Sequence, residues 1–252
     1  MLIDLHIHGM AHGEYSHSRE ELLPFIQNAK GAGISIIGFA EHDWYLEDIN
    51  HALLKNLGEE NEMDILVGVE VDHGGNALQK AEELSKYDFD YLIGSIHEVN
   101  GWPFDHPDHR DGFSKWDIDS LYSEYFSLME NLISCGIYDI VGHMDLIKIY
   151  GHRPNKNIDD YVRPLLKTAA EKDMVVEVNT SGVYKPVGEI YPGRRILEIC
   201  KQLGVPITLG SDAHLPGHVG RDIAMTSEML VEMGFKEVVS FHGRSPRFHC
   251  LT

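Results

Sequence analysis

The sequence predicts an α/β fold in which seven β/α units form a single distorted TIM-like barrel, (β/α)7, over residues 1–252. Three observations predict it: seven short apolar runs recur along the chain, helix-like segments lie between them, and no Pro- or Ser-rich linker divides the sequence. Strands that alternate with helices favour a parallel sheet, and seven units within about 250 residues favour a barrel one unit short of the usual eight. A doubly wound open sheet is the alternative.

The apolar runs are the expected strands, because each is short and is followed by polar or turn-forming residues. In parallel sheets with helices on their outer face, strands are buried on both sides and are therefore apolar almost throughout. The runs cover residues 2–7, 34–40, 65–71, 91–96, 137–142, 174–178 and 206–209.

Helical segments are expected between these runs. Ser18 and Glu21 form a capping-box pattern that predicts the start of the first helix. Asp117 precedes a longer segment whose apolar residues recur with helical spacing. Further helices are expected around residues 165–169 and 196–199.

The composition limits the class of partner. Forty acidic residues against 21 basic ones give a formal net charge of −19, which opposes binding to long nucleic acids or to an anionic membrane surface. No run of about 18 apolar residues suggests a membrane span. The three cysteines are far apart and form no metal or disulfide motif, so a reducing cytoplasm is the expected setting. These observations favour an enzyme that acts on a small molecule.

Ligand-type side chains follow or end all seven runs, and the chain contains 16 histidines. In a parallel barrel the C-terminal strand ends form one rim, so side chains that are distant in sequence converge there. His6 and His8 face the same side of their strand, since residues i and i+2 do so. Imidazole and carboxylate together suit Zn, Mn or Fe. The strand-end residues are His6, His8, Glu41, His42, Asp43, Glu70, Asp72, His73, His97, His143, Asp145, Glu177, Asn179, Asp212 and His214.

The motifs at these strand ends resemble those of the PHP (polymerase and histidinol phosphatase) family. They are DLHIH at 4–8, EHD at 41–43, GVEV at 68–71, GSIH at 94–97, VGH at 141–143 and GSDAH at 210–214. The resemblance implies a distorted seven-stranded barrel, three divalent metal ions at the strand C-termini, and hydrolysis of phosphoesters by water that the metals activate.

Three longer stretches, 97–108, 141–154 and 177–192, resemble the histidinol-phosphate phosphatases of this family. They imply a small phosphate monoester as substrate, with L-histidinol phosphate as the first expectation. Another phosphatase or a nucleotide phosphohydrolase of the same family is the alternative. A metal-binding domain without catalytic activity is an alternative of a different class.

The resemblance also implies the ligand set. Glu14 stands at the position of one further ligand, which is usually His or Asp in the family, and His12 or His17 could replace it. The ligands implied are His6, His8, Glu14, His42, Glu70, His97, His143, Asp212 and His214.

The substrate contacts are less completely matched. Histidinol-phosphate phosphatases usually carry Arg where this chain has Tyr184, and that Arg is expected to grip the phosphate. Arg153 is therefore expected to bind the phosphate and stabilise the charge that develops on it, and Lys185, Arg194 or Arg195 could compensate for the missing Arg. A surface salt bridge is the alternative role for Arg153.

The segment 97–116 is expected to lie over one face of the barrel. Its residue Trp102 is expected either to contact the organic part of the substrate, together with Phe104 and Asp105, or to pack the segment down. Asp212 and His214 are the groups expected to move a proton to or from the leaving alkoxide.

Overall fold

The computed structural model describes residues 1–74 and 77–251, and its strands include all seven that the apolar runs predict. In chain order they are β1 (Leu2–Ile7), β2 (Ile34–His42), β3 (Asp64–Asp72), β4 (Tyr91–Ser95), β5 (Glu98–Val99), β6 (Trp102–Pro103), β7 (Ile140–Val141), β8 (Val175–Asn179), β9 (Ile207–Gly210), β10 (Glu237–His242) and β11 (Ser245–Cys250).

The helices occupy the intervals between strands, as expected. The α-helices are α1 (Arg19–Gly31), α2 (His51–Asn61), α3 (Ala77–Leu84), α4 (Ile118–Cys135), α5 (Ile158–Glu171), α6 (Arg194–Leu203) and α7 (Ile223–Glu232). Short 3-10 helices cover Asp43–Asp48, Pro107–Lys115, Leu146–Lys148, Ser181–Tyr184 and Pro216–His218. None of the helices in the described part of the chain has the length and hydrophobicity that a bilayer-spanning helix needs.

Seven parallel strands form one sheet in the order β1-β2-β3-β4-β7-β8-β9. The sheet closes on itself, because the chain just after β9 returns to the end of β1. There the His8 N–H donates to the Ala213 carbonyl at 2.9 Å, and the Ala213 N–H donates to the His6 carbonyl at 3.2 Å. The prediction of a distorted seven-stranded barrel is confirmed, and the doubly wound open sheet is wrong because its edge strands would not meet.

The predicted helix starts are confirmed by their caps. The Ser18 side chain accepts a hydrogen bond from the Glu21 N–H at the start of α1, and Asp117 caps α4 by accepting from the Ser120 N–H. Both caps satisfy backbone donors that the first turn of a helix leaves free. The two helices therefore begin where the sequence predicts.

The segment between β4 and α4 carries its own secondary structure. β5 and β6 pair as a short antiparallel ribbon, and the 3-10 helix Pro107–Lys115 follows. Trp102 packs against Phe104, Phe113 and Trp116, and its indole N–H donates to a backbone carbonyl at 3.0 Å. Of the two roles expected for Trp102, this position supports packing of the segment.

One large side chain extends across the barrel interior. Tyr91 of β4 is fully buried and its hydroxyl donates to the Leu5 carbonyl of β1 at 2.7 Å, so the side chain crosses the interior. Gly38 of β2 and Gly68 of β3 face it: a Cβ at Gly38 would lie 1.9 Å from the tyrosine oxygen, and one at Gly68 2.4 Å from the ring. The two glycines make room for the aromatic ring.

We expect Gly38→Ala to destabilise the protein by about 1–3 kcal/mol or more, because overpacking forces the tyrosine or the strand to move. Urea denaturation followed by circular dichroism measures the change. Gly31→Ala is the matched control, since no atom lies within 4 Å of its added Cβ. Equal unfolding midpoints for the two variants would contradict this account of the interior.

Candidate metal centre

Eight ligand-type side chains from six strand ends meet at one end of the barrel. Imidazole and carboxylate atoms group into three sets, and within each set the ligand atoms lie within 4.8 Å of one another. One set is His8, His42 and His214; the second is His6, His8 and Asp212; the third is Glu70, His97 and His143.

Glu70 of β3 lies between these sets. Its Oε1 is 2.9 Å from His143 Nε2 and 3.5 Å from His6 Nε2. Its Oε2 is 3.1 Å from His42 Nδ1 and 3.5 Å from His8 Nε2. The two oxygens of one carboxylate therefore face different ligand sets, which is how a carboxylate bridges two cations.

The ring nitrogens are arranged for cations rather than for one another. The Nε2 atoms of His6 and His8 face each other at 3.1 Å, and those of His97 and His143 at 3.3 Å. The described residues offer no hydrogen-bond partner to His42 Nε2 or His214 Nε2, although both atoms are buried. Buried polar atoms without partners are costly, and converging lone pairs repel, unless a bound cation accepts them. The residues present thus fit a group of divalent metal ions.

The electrostatics of the cluster favour positive charge. Burial opposes ionisation of Glu70 and Asp212, but His6 and other imidazoles around them hold both carboxyl pKa values well below their usual range. Burial likewise opposes protonation of His97, yet Glu70 and Asp72 raise its pKa to about 10. Burial and the neighbouring imidazoles hold the pKa of His8 well below its usual value. The cluster thus stabilises positive charge, and ionised carboxylates together with imidazoles that have lost their proton are the ligands that Zn, Mn or Fe bind.

A second layer of carboxylates orients the imidazoles. Glu177, in the middle of β8, is buried, and its Oε1 is 2.5 Å from His6 Nδ1 while its Oε2 accepts from the His143 N–H at 2.7 Å. Asp72 of β3 lies 2.9 Å from His97 Nδ1. Such partners fix the ring orientation and leave the opposite nitrogen for the metal.

Asp4 ties the two sides of the barrel seam together. It accepts hydrogen bonds from the Ser211 N–H at 2.8 Å, the Ser211 hydroxyl at 2.6 Å and the Gly220 N–H at 2.8 Å. Burial raises the pKa of this carboxyl to about 6, and these hydrogen bonds oppose the rise. The loop that carries Asp212, whose φ of 54° lies in the left-handed region, is thereby fastened to β1.

The residues proposed for the additional ligand position lie in different surroundings. Glu14 is exposed, and its carboxylate accepts from the His12 N–H at 2.7 Å. The His12 ring stacks on His214 with 4.5 Å between centroids and borders the cavity above the cluster. Both ring nitrogens of His17 are engaged, one with Glu41 at 2.8 Å and the other with the Asn50 N–H at 3.1 Å. Ligation by Glu14 stays a prediction, and His12 is the better placed substitute.

A cavity of about 580 Å3 opens above the cluster. Its wall combines ligands, apolar side chains such as Trp44 and Leu215, and charged groups. The charged side chains of the wall are Asp72, Asp105, Lys185, Asp212 and Arg221, besides Glu70 on its floor.

Only one of the expected phosphate contacts borders this cavity. Lys185 lies in its wall and forms no ion pair with the described carboxylates. Arg153 pairs with Glu189 outside the wall, and Arg194 is exposed and lies 3.7 Å from Glu198. A direct contact of Arg153 with phosphate would require it to leave Glu189, so its role stays a prediction.

The sequence did not assign a role to several residues of the site. Glu177 and Asp72 are among the strand-end residues and Asp4 lies within the first motif, but no pattern separated carboxylates that orient imidazoles from carboxylates that bind metal. Arg221 follows a run of turns in a loop, and nothing in the sequence placed it at the cavity. Its position depends on how the chain folds back after β9.

Two family patterns match the chain. The PHP domain pattern matches residues 4–181, and the PHP-associated pattern matches residues 193–226. The first alone covers more than half of the chain and includes the strands from β1 to β8. The match confirms the resemblance to the PHP family that the strand-end motifs indicated.

Individual relatives match over nearly the full length. A Deinococcus radiodurans protein named "Probable histidinol-phosphatase" is 31% identical, over 96% of this chain and 97% of its own. The histidinol-phosphatase of Lactococcus lactis is 24% identical, over 92% and 93%. A crystal structure of histidinol phosphate phosphatase from Lactococcus lactis, complexed with zinc, L-histidinol and phosphate, superposes with a TM-score of 0.81 at 20% identity over 98% of each chain, which shows the shared fold.

We expect Glu177→Gln to weaken zinc binding roughly tenfold or more, because the neutral amide polarises His6 less than a carboxylate does. Chelator competition gives the affinity, and elemental analysis after dialysis gives the metal content. Glu60→Gln, on the surface beside Arg19, is the matched control. An unchanged zinc affinity in Glu177→Gln would show that this carboxylate stabilises the barrel and does not support metal binding.

Proposed function

The chain belongs to the PHP family, and from that premise we propose that it is a metal-dependent phosphatase that converts L-histidinol phosphate and water to L-histidinol and inorganic phosphate. The observation that carries the proposal is the floor of the cavity, where imidazoles and carboxylates converge with unpartnered nitrogens. A site used only for structure would be closed by its protein ligands, whereas this one faces a cavity large enough for a small monoester.

The three ligand sets are proposed to hold the divalent metal ions, and Glu70, whose two oxygens face different sets, would be one of the ligands. Bound divalent ions would lower the pKa of a water molecule and neutralise charge on the phosphate oxygens. His6, His8, His42, His97, His143, Asp212 and His214 are the other proposed ligands.

The chain's own residues position the phosphate and the leaving group. Lys185, which borders the cavity without a carboxylate partner, is proposed to bind a phosphate oxygen. As a water molecule attacks phosphorus and the P–O bond to the leaving group breaks, Asp212 and His214 are proposed to take up the proton that the water loses and to pass it to the leaving alkoxide oxygen. Ser181 donates to Asp212 Oδ2 at 3.2 Å and Asn179 donates to the same oxygen at 3.4 Å, so that carboxylate is held in place while the proton moves.

The organic part of the substrate is proposed to meet the wall formed by the 97–116 segment. Asp105 borders the cavity, and its carboxylate has no hydrogen bond or ion pair with the described residues. L-histidinol phosphate carries a protonated amine, and an unpaired carboxylate in the wall fits that charge. Trp44, which stacks on His42 with 4.2 Å between ring centroids and is 56% exposed, offers an apolar surface for the imidazole ring.

The proposal predicts phosphate release from L-histidinol phosphate by protein loaded with Mn or Zn, at higher kcat/KM than from sugar phosphates or mononucleotides. A malachite-green assay over such a panel measures this. Exchanging His6 and His8 together for Ala should remove both metal content and turnover, since these residues belong to the ligand sets.

His242→Ala is the matched control, because that histidine lies at the other end of the barrel beside Asp64. If a nucleotide is hydrolysed faster than L-histidinol phosphate, the proposed substrate is wrong and the proposed phosphoester hydrolysis stands. Metal binding without release of phosphate from any monoester would favour the non-catalytic alternative.

We further expect Asp105→Asn to raise KM for L-histidinol phosphate about tenfold or more, which is the usual worth of a hydrogen bond to a charged group. Hydrolysis of p-nitrophenyl phosphate, which has no amine, should keep its KM. Steady-state kinetics on both substrates makes the comparison. If KM rises equally for both, Asp105 does not recognise the amine.

A further inference from the structure

Arg221 differs from the other described arginines of this acidic protein, because Arg110 and Arg247 are exposed and the rest are paired with carboxylates. Arg19, Arg153, Arg163, Arg194, Arg195 and Arg244 each form an ion pair with a carboxylate. Arg221 borders the cavity above the metal centre, is partly buried, and forms no ion pair with any described carboxylate. A partly buried cation without a counter-ion is costly, and an anion that enters the cavity would remove that cost.

The Arg221 side chain is held by an aromatic ring. The carbon at the centre of its guanidinium lies 3.4 Å from the centroid of the Tyr184 ring, which is van der Waals contact for a flat group on a ring face. The Tyr184 hydroxyl donates to Asp222 Oδ2 at 2.6 Å. The tyrosine therefore engages the carboxylate adjacent to Arg221 in sequence and leaves the guanidinium edge free.

The backbone of Arg221 is fixed to the elements that position the metal ligands. The Thr180 hydroxyl donates to the Arg221 carbonyl at 2.7 Å, and the neighbouring Ser181 hydroxyl donates to Asp212 at 3.2 Å. The Gly220 N–H donates to Asp4 at 2.8 Å. The backbone of Arg221 is thus tied to the same segments that hold Asp212.

We propose that Arg221, stacked on Tyr184 in the wall of the cavity, is the residue that binds the substrate phosphate. The inference rests on the proposed function. It also explains how a chain with tyrosine at position 184 retains a guanidinium in the cavity: the planar donor comes from the loop after β9 and the tyrosine supports it. A planar guanidinium offers two parallel N–H donors to a phosphate, which a lysine cannot do.

The surroundings of Arg221 add to its preference for an anion. Lys185 and His218 border the same part of the cavity. Burial, together with the positive charge of Arg221 and the neighbouring His214 and Lys185, lowers the pKa of His218. Two cationic side chains, Arg221 and Lys185, thus lie close to each other in the wall, where both could contact a phosphate.

The test measures binding of inorganic phosphate to zinc-loaded protein by isothermal titration calorimetry, together with KM for L-histidinol phosphate. Arg221→Ala should raise the phosphate Kd and KM roughly 10- to 100-fold, with zinc content unchanged. The phosphate Kd of Arg221→Lys should lie between those of wild type and Arg221→Ala, because lysine keeps the charge but loses the paired donors. Arg247→Ala, on the exposed strand β11, is the matched control and should bind phosphate as wild type does.

The stacking is tested by a double-mutant cycle. Tyr184→Ala should weaken phosphate binding less than Arg221→Ala, and the double variant should be no weaker than Arg221→Ala alone. Fully additive effects would show that the tyrosine does not position the guanidinium. Tyr184→Phe keeps the ring and should bind phosphate more tightly than Tyr184→Ala.

A phosphate Kd within twofold of wild type in zinc-replete Arg221→Ala would overturn the proposal. If the alanine variant fails to fold or to retain zinc, Arg221→Gln, which keeps much of the side-chain length, takes its place with the same expectation and the same refuting result. The titration does not depend on turnover. A wild-type protein that binds phosphate through Arg221 but hydrolyses no monoester would refute the proposed function and leave this inference standing.

Discussion

Two backbone hydrogen bonds at the barrel seam determine where the chemistry lies. They join His8 to Ala213 and Ala213 to His6, and so place the first strand beside the chain that follows the last. Without this closure the first histidine pair would lie at one edge of a sheet and Asp212 at the other. The buried carboxylate of Asp4, which accepts from Ser211 and Gly220, reinforces the seam from below. Barrel closure therefore brings the histidine pair of the first strand next to Asp212.

The centre is built in layers with separate tasks. Glu70 faces the ligand sets with both oxygens, whereas Glu177 and Asp72 face the rear nitrogens of His6 and His97. The buried negative charge of these carboxylates would be unstable alone. Imidazoles compensate it in part, and divalent ions would complete the compensation. The negative charge that is costly to bury is also what gives the site its affinity for cations.

The cavity separates opposite charges within a small space. Carboxylates and imidazoles form its floor, and the cations Lys185 and Arg221 lie in its wall. Most other arginines are paired with carboxylates on the surface, whereas Lys185 and Arg221 have no carboxylate partner among the described residues. Asp105, on a different segment of the wall, adds a place for a positive group. A substrate that carries both a phosphate and an amine suits this pattern.

The sequence by itself determined the fold class, the seven strands and the convergence of ligands, because strand periodicity and polar residues at strand ends are local patterns that the barrel geometry converts into one rim. Ligand-type residues such as His6 and Glu70 could be found in this way. The tertiary structure alone decided which charges are free. Arg153 matched a motif, yet it pairs with Glu189, while Arg221 matched none and stands unpaired on Tyr184. Ion pairing and stacking join side chains from separate loops, and no spacing along the chain encodes them.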